Sequence, residues 1–281
     1  MSHKKSILIT GASTGIGKVT ALHLDSLGFK VFAGVRKEED GEKLRKKASD
    51  KLESMILDVT DEQLIATAVE RISSERDYPF FGLVNNAGIG ISGVIEATTV
   101  SEFRRLMEVN LIGLHAMTFA SIPWLRKNHG RIVNIGSSSS YIAAPGGSAY
   151  AASKFAVRAY TDSLRTEVAP FGMEVSLVAP GAIESDIWAK NAAYKKKLRK
   201  TVSAELLDIY RPFVRYGDKI LEDVKPLPTM KVAKAVENAL VAKKPKAIYL
   251  IGPDAKKAFY FSGFPKRALT KMFLKHILKK E

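Results

Sequence analysis

Ser6-Ile-Leu-Ile-Thr10, running straight into Gly11-Ala-Ser-Thr-Gly15-Ile-Gly17, is the stretch on which the fold turns. A short apolar run containing β-branched residues reads as a buried strand. The glycines behind it permit a tight turn, close approach of the backbone to a phosphate, and close packing of the next helix, whose N-terminus offers free N–H groups and a favourable dipole to an anion. The spacing is Gly-x-x-x-Gly-x-Gly rather than the commoner Gly-x-Gly-x-x-Gly, so the turn alone is weak evidence of a nucleotide site. Its place directly after a strand strengthens it. Further strand signals follow at 30–35, 55–58, 82–85, 131–136, 173–179 and 247–251, after the first at 6–10, with helical patterns between most of them. Alternating strand and helix predict one α/β domain over 1–281, a single doubly wound parallel sheet with helices on both faces. Ligands of such sheets bind beyond the carboxyl ends of the strands.

A second pattern lies in Ser148-Ala-Tyr-Ala-Ala-Ser-Lys-Phe-Ala-Val157. The alanine-rich run predicts a helix, on which Tyr150 and Lys154 stand one above the other. A phenol beside an ammonium is expected to titrate below its usual value of about 10, as acid–base chemistry near neutral pH requires. Tyr-x-x-x-Lys also occurs by chance on many surface helices, so the pair needs the glycine turn to give it weight.

The composition excludes several classes. Hydrophobic content of 46% with 26% charged residues is that of a globular protein, and no run approaches the length of a membrane span. Without cysteine there is no disulfide framework, thiol nucleophile or thiolate metal site. The five histidines (3, 23, 115, 129, 276) show no paired spacing, so no metal site is expected. Met-Ser-His-Lys-Lys runs directly into the first strand, which predicts no signal peptide and a cytoplasmic location. The formal charge of +15 attracts anions, whether cofactor phosphates, acidic partners or membrane headgroups, unless it is plain solvated lysine. No nucleic-acid module is recognisable.

Read together, Thr10-Gly-x-x-x-Gly-Ile-Gly17, Asn85-Asn-Ala-Gly88, Asn110 in Val-Asn-Leu-Ile-Gly, serines at 137–140, Tyr150-x-x-x-Lys154 and Pro180-Gly181 resemble the short-chain dehydrogenase/reductases, in the same order and over nearly the whole chain. The resemblance implies a Rossmann-type fold, a nicotinamide cofactor, and a homodimer or homotetramer. It implies that Gly11, Ser13, Thr14, Gly15, Ile16 and Gly17 hold the cofactor phosphates, and that Asp58 and Val59 lie on the adenine side. Asp58 reads equally as the cap of the following helix. Asn85, Asn86, Ala87 and Gly88 follow strand four, where two amides and a glycine suit a backbone close to the cofactor. The family's spacing of thirteen from tyrosine to serine lands on Ser137, and the serine run leaves Ser138 as the other choice. Ser137 would hydrogen-bond the substrate oxygen, Tyr150 would exchange the proton, Lys154 would hold the ribose, and Asn110, in a helical stretch over 101–120, would hold a water linking the lysine to solvent. Pro180, Gly181, Ile183 and Ser185 would wall the nicotinamide, with Ser185 standing where the family has threonine.

Strand two ends Val31-Phe-Ala-Gly-Val-Arg36. An NAD-preferring fold would usually place an acid here for the ribose 2′-hydroxyl, whereas Arg36 suits a 2′-phosphate. NADP(H) is therefore the expected cofactor; Glu38 or Glu39 reaching back would restore NAD(H). Residues 182–228, with Trp188, Tyr194, Lys195-Lys-Lys197, Tyr210, Phe213 and Tyr216, form a helical insertion over the active-site edge and fit a substrate segment. The stretches Leu57-Asp-Val-Thr-Asp61 and Gly252-Pro-Asp-Ala-Lys-Lys257 resemble the retinol and hydroxysteroid dehydrogenases, which implies a small apolar alcohol or carbonyl substrate. The rivals are a 3-oxoacyl carrier-protein reductase and a silent NADP-binding sensor. Residues 265–281 predict a basic amphipathic helix that either rests on an anionic membrane or packs over the pocket or a partner subunit.

Overall fold

The apolar runs pair side by side as one parallel sheet, β1 (Ser6–Ile9), β2 (Lys30–Val35), β3 (Leu52–Ile56), β4 (Phe80–Asn85), β5 (Arg131–Ile135), β6 (Glu174–Pro180) and β7 (Ile248–Ile251), in a computed structural model that describes residues 4–185, 191–194, 196, 198 and 201–278. The order is β3-β2-β1-β4-β5-β6-β7. Strand order reverses between β1 and β4, which opens a crevice at their carboxyl ends. Successive side chains leave opposite faces of a strand. Ile7 and Ile9 accordingly join the core with Leu24, Val232, Val236 and Leu240, while Leu8 joins that of Ile65, Leu83, Met117, Leu125 and Leu164 on the other side. Burial on both faces explains why these strands read as continuous apolar runs.

The helices that carry the site are α1 (Gly15–Ser26), α2 (Glu38–Arg45), α3 (Glu62–Ser73), α4 (Val100–Met107), α5 (Gly113–Lys127) and α6 (Ser148–Val168). Helices Ala204–Ile209 and Arg211–Asp223 build the described part of the insertion, and helix Lys266–Ile277 packs on Arg211–Asp223. No helix among the described residues is long and apolar enough to cross a membrane.

Two elements depart from expectation. β3 covers Leu52–Ile56 rather than 55–58. It is an edge strand paired only with β2, so Glu53 and Ser54 are tolerated within it, and the apolar Met55-Ile-Leu57 run overshoots its end. The helical stretch over 101–120 is broken at Glu108–Ile112, where a π turn sits between α4 and α5 and carries Asn110. Such turns disrupt the i→i−4 ladder and often mark functional positions.

Candidate active site

The glycine turn is held by its neighbour across the crevice. Thr10 Oγ1 accepts from the backbone N–H of Asn86 (3.0 Å) and of Ala87 (2.9 Å), and Asn86 Nδ2 donates to the carbonyls of Thr10 (2.9 Å) and Gly11 (3.0 Å). A side chain at Gly17 would run into the Gly11 carbonyl and the Asn86 amide, and Gly11 and Gly15 hold φ of 66° and 54°. These positions require glycine for close approach and a left-handed backbone. Thr14 caps α1 without a side-chain hydrogen bond, and the first turn has no acid. Its backbone donors therefore have no acid opposing them, an arrangement that suits a pyrophosphate. Ser13 and Ile16 are half-buried on the same turn. Ser185 reaches it too, since a Cβ on Gly15 would lie 3.2 Å from that of Ser185.

Arg36 is exposed immediately after β2, and Glu38 is turned along α2 to pair with Arg45 at 2.8 Å. Asp58 accepts from the Thr60 N–H (3.0 Å) and hydroxyl (2.8 Å), closing a local turn, and it does not cap α3. That cap is Asp61, which accepts from Gln63 and Leu64 N–H, each at 3.0 Å. Val59 is buried, and a Cβ on Gly113 would come within 2.8 Å of its carbonyl oxygen. Asn85 is also relocated. It lies inside the sheet rather than toward a ligand, donating to Thr118 Oγ1 (3.0 Å) and Asn134 Oδ1 (2.9 Å), while Asn134 Nδ2 donates to Thr161 Oγ1 (2.9 Å).

Behind β5, Ser137 caps a short turn over Ser138–Ser140, and its Oγ accepts from Ser139 N–H at 3.1 Å. The Ser137 hydroxyl, rather than that of Ser138, lies close enough to the Tyr150 phenol to favour its ionised form. Lys154 is 6% exposed, donates from Nζ to the Ile135 carbonyl at 2.8 Å, and lies 5.9 Å from the centre of the Tyr150 ring. Asn110 Oδ1 accepts from Ile89 N–H (2.8 Å), and its Nδ2 donates to Ile89 O (3.0 Å) and Ser153 Oγ (3.0 Å). Gly88 closes the group, since a Cβ there would meet Asn110 Oδ1 at 3.2 Å and Lys154 Nζ at 3.8 Å. Ser153, missed by the sequence reading, accepts from Asn110 Nδ2 and so ties α6 to the π turn, while its own hydroxyl donates to the Tyr150 carbonyl at 2.8 Å within α6. Its i+3 spacing from Tyr150 was the available signal.

The electrostatics correct the expected downward shift of Tyr150. Burial pushes the phenol above its usual value, with the Ser137 hydrogen bond opposing, because the Lys154 ammonium is turned to a backbone carbonyl. The same burial lowers Lys154 to about 8.

Pro180 ends β6, and Gly181 N–H donates to Ile251 O at 2.9 Å. Ile183 then pairs with Leu227 in a parallel bridge. From the insertion, Tyr194 joins Ile89, Met107 and Tyr150 around the buried cluster of Ile91, Leu106 and Ala149, which gives the site an apolar wall. Burial and the Glu102 carboxylate beside it push the Tyr194 phenol up. Tyr210 donates to Glu96 Oε1 at 2.6 Å. Trp188, Lys195 and Lys197 lie outside the described residues.

Comparison with known proteins follows this geometry. A family model described as short chain dehydrogenase matches residues 5–196. Retinol dehydrogenase 5 of Mus musculus is 37% identical over 262 residues, 89% of this chain and 81% of that protein. A 17-beta-hydroxysteroid dehydrogenase type 6 of Bos taurus is 37% identical over 92% of this chain and 83% of its own. Among solved structures, a short-chain dehydrogenase from Streptomyces avermitilis has 31% identity and a TM-score of 0.76, covering 96% of each chain. A short chain dehydrogenase from Burkholderia cenocepacia, solved in complex with NADP, has 25% identity and a TM-score of 0.75, covering 98% of this chain and 99% of its own.

Proposed function

The chain belongs to the short-chain dehydrogenase family, and as an NAD(P)-dependent oxidoreductase of that family we propose that it interconverts an apolar alcohol and its carbonyl, steroid-, retinoid- or lipid-like, with Tyr150 as acid and base. The observation that carries this reading is the Ser137 hydroxyl beside the Tyr150 phenol, with buried Lys154 one turn further along α6, at the strand ends facing the glycine turn. Bound nicotinamide supplies the hydride. Ser137 holds the substrate oxygen, Tyr150 gives it a proton on reduction and takes the alcohol proton on oxidation, and Lys154 holds the ribose side. Asn110, from the π turn, braces Ser153 between Tyr150 and Lys154 on α6, and the pair offers a polar route for the proton. With the phenol raised by burial, Tyr150 is protonated at neutral pH, which favours reduction. Oxidation gains as pH rises.

NADP(H) is the preferred cofactor in this reading, with NAD(H) a poorer one. Arg36 stands free after β2 while Glu38 is engaged by Arg45, and α1 offers its uncapped N-terminus to the phosphates. Asp58, Val59 and the Asn86-Ala-Gly88 turn flank the adenosine side, and Pro180, Gly181, Ile183 and Ser185 the nicotinamide side. The apolar wall of Ile89, Ile91 and Tyr194 suits a lipophilic substrate, in line with relatives named for retinol and hydroxysteroids.

The reading extends to partners and place. A second copy would cover the apolar strip that the π turn, α5 and α6 expose at Ile112, Phe119 and Phe155. In the cytoplasm, peripheral contact with anionic membrane would use the C-terminal helices, where Phe259, Tyr260, Phe264, Leu274 and Leu278 are exposed among lysines while Leu269 and Ile277 pack inward. A 3-oxoacyl carrier-protein reductase is the rival, and a brucella enzyme of that name is 25% identical with a TM-score of 0.73. NADPH oxidation against retinal, a 17-ketosteroid and a 3-oxoacyl thioester decides between them. Turnover of the thioester alone, or of none, would remove the proposed reading.

A further inference from the structure

Asp254 lies beyond residues 5–196, the stretch the family model matches, and has no part in the proton chemistry above. It stands in the first turn of helix Pro253–Phe261, where the helix dipole favours an acid. Its carboxylate reaches back across the sheet edge to accept the Ala182 N–H, beside the Gly181 N–H that donates to Ile251 O. Two glycines make room for it. A Cβ on Gly181 would overlap the carboxylate, and one on Gly252, whose φ is 103°, would fall 2.6 Å from Asp254 Oδ1. The opposite end of the helix places Phe259 edge-on against Tyr141 at 5.2 Å, directly after the turn that Ser137 caps. The helix also packs on Ser138–Ser140. One nine-residue helix therefore touches both the segment after β6 and the serine turn, and its only charged contact with the first is Asp254 among the described residues.

We propose that Asp254 is a positioning residue for Pro180-Gly181-Ala182: its carboxylate holds the backbone that walls the nicotinamide end of the site, and so sets cofactor affinity and alignment for hydride transfer. This rests on the reading that the segment after β6 flanks the nicotinamide. Gly181 is glycine because the carboxylate occupies the space of its side chain, which makes the pair one device.

The test is Asp254→Ala, with Asp254→Asn as the conservative variant that keeps the shape and one acceptor. NADPH affinity is followed by the fluorescence of the bound cofactor, which needs no turnover. Loss of a charge-assisted bond predicts roughly tenfold weaker NADPH for Asp254→Ala and a smaller, about threefold, loss for Asp254→Asn. Turnover with 4-deuterated NADPH should show a larger isotope effect than the unmodified enzyme, while the pH profile of kcat stays in place because Ser137, Tyr150 and Lys154 are untouched. Unchanged affinity and isotope effect in Asp254→Ala would overturn the proposal, and so would a shifted pH profile. If Asp254→Ala does not fold, Asp254→Asn decides on the same readouts, with unchanged NADPH affinity the contrary result. The two readings fail separately: a protein that turns over nothing on the carbonyl panel ends the functional reading, whereas the binding measurement still judges Asp254.

Discussion

Around the candidate site, between residues 85 and 161, a set of polar side chains is buried and bonded, whereas residues 259–278 leave a set of apolar side chains in solvent. Asn85, Asn110, Asn134, Ser153, Lys154 and Thr161 are all buried in the first region and each finds a partner there. In the second, Phe259, Phe264 and Leu278 are exposed and Tyr260 is 82% exposed. Charge divides the same way. Residues 211–281 hold 17 Lys and Arg against 6 Asp and Glu, and the preceding 210 hold 27 against 23. A satisfied buried polar network specifies one geometry, because leaving any member unpaired costs the desolvation of that group. An exposed apolar and basic surface specifies a partner instead. The first region is built to hold atoms still, and the proposal for the second is that it meets a partner or a surface.

Tyr150→Phe tests the first half of that contrast most severely. The ring still packs on the cluster of Ile91, Leu106 and Ala149, so cofactor affinity should stay within a few-fold, but loss of the proton donor should lower kcat on the order of a hundredfold or more. Activity within about tenfold of the unmodified enzyme would show that the fixed network is not the catalytic machinery.

Lys154→Met asks what that network costs. The folded-state pKa of about 8 lies below the ordinary 10.5, so the penalty of burying the charge is fully present below pH 8 and fades as pH rises toward 10.5. Set against the lost hydrogen bond to Ile135, the variant should be more stable than the parent by about 2 kcal/mol at pH 7, with the gap closing between pH 8 and 10.5. Urea melts across that range measure it. A variant that is less stable at pH 7 would mean that the lysine is a structural prop rather than a strained functional group.

Arg36→Asp probes the edge of the rigid region. Removing the phosphate's partner and adding a repulsive charge should reverse the cofactor preference, by roughly tenfold or more in the ratio of kcat/KM for NADPH and NADH. If the unmodified protein already uses NADH better, the reading of β2 fails.

The smallest effect is expected in the second region. Leu274→Ser with Leu278→Ser should weaken flotation on anionic vesicles by a few-fold, and raised salt should do the same, because apolar burial and charge attraction share the binding. Turnover of a soluble substrate should not change. Equal flotation of both proteins would assign the exposed face to a protein partner or a second copy.

Wherever a feature depends on its neighbours in the chain, the sequence alone displayed it. The strand-to-glycine turn at Thr10–Gly17, the i,i+4 pair of Tyr150 and Lys154, and Arg36 at the end of β2 are local facts, and the strands were legible because burial on both faces makes them continuously apolar. Asn85 and Asn86 show the limit. They are identical adjacent amides, but pleating sends one into the sheet toward Asn134 and leaves the other to hold the glycine turn. Asp58 and Asp61 are divided by where α3 begins, and edge pairing moved the end of β3.

The fold follows from sequence, and so do the glycine turn and the Tyr150–Lys154 pair proposed for the cofactor and the proton, since each is written in residues a few positions apart. Tertiary structure decided the rest: that Ser137 rather than Ser138 meets the phenol, that Lys154 turns to a carbonyl while burial lifts Tyr150, that Asn110 rides a π turn, and that Asp254 reaches Ala182. Each joins residues far apart in the chain or depends on solvent exclusion, and both are properties of packing that no local pattern encodes.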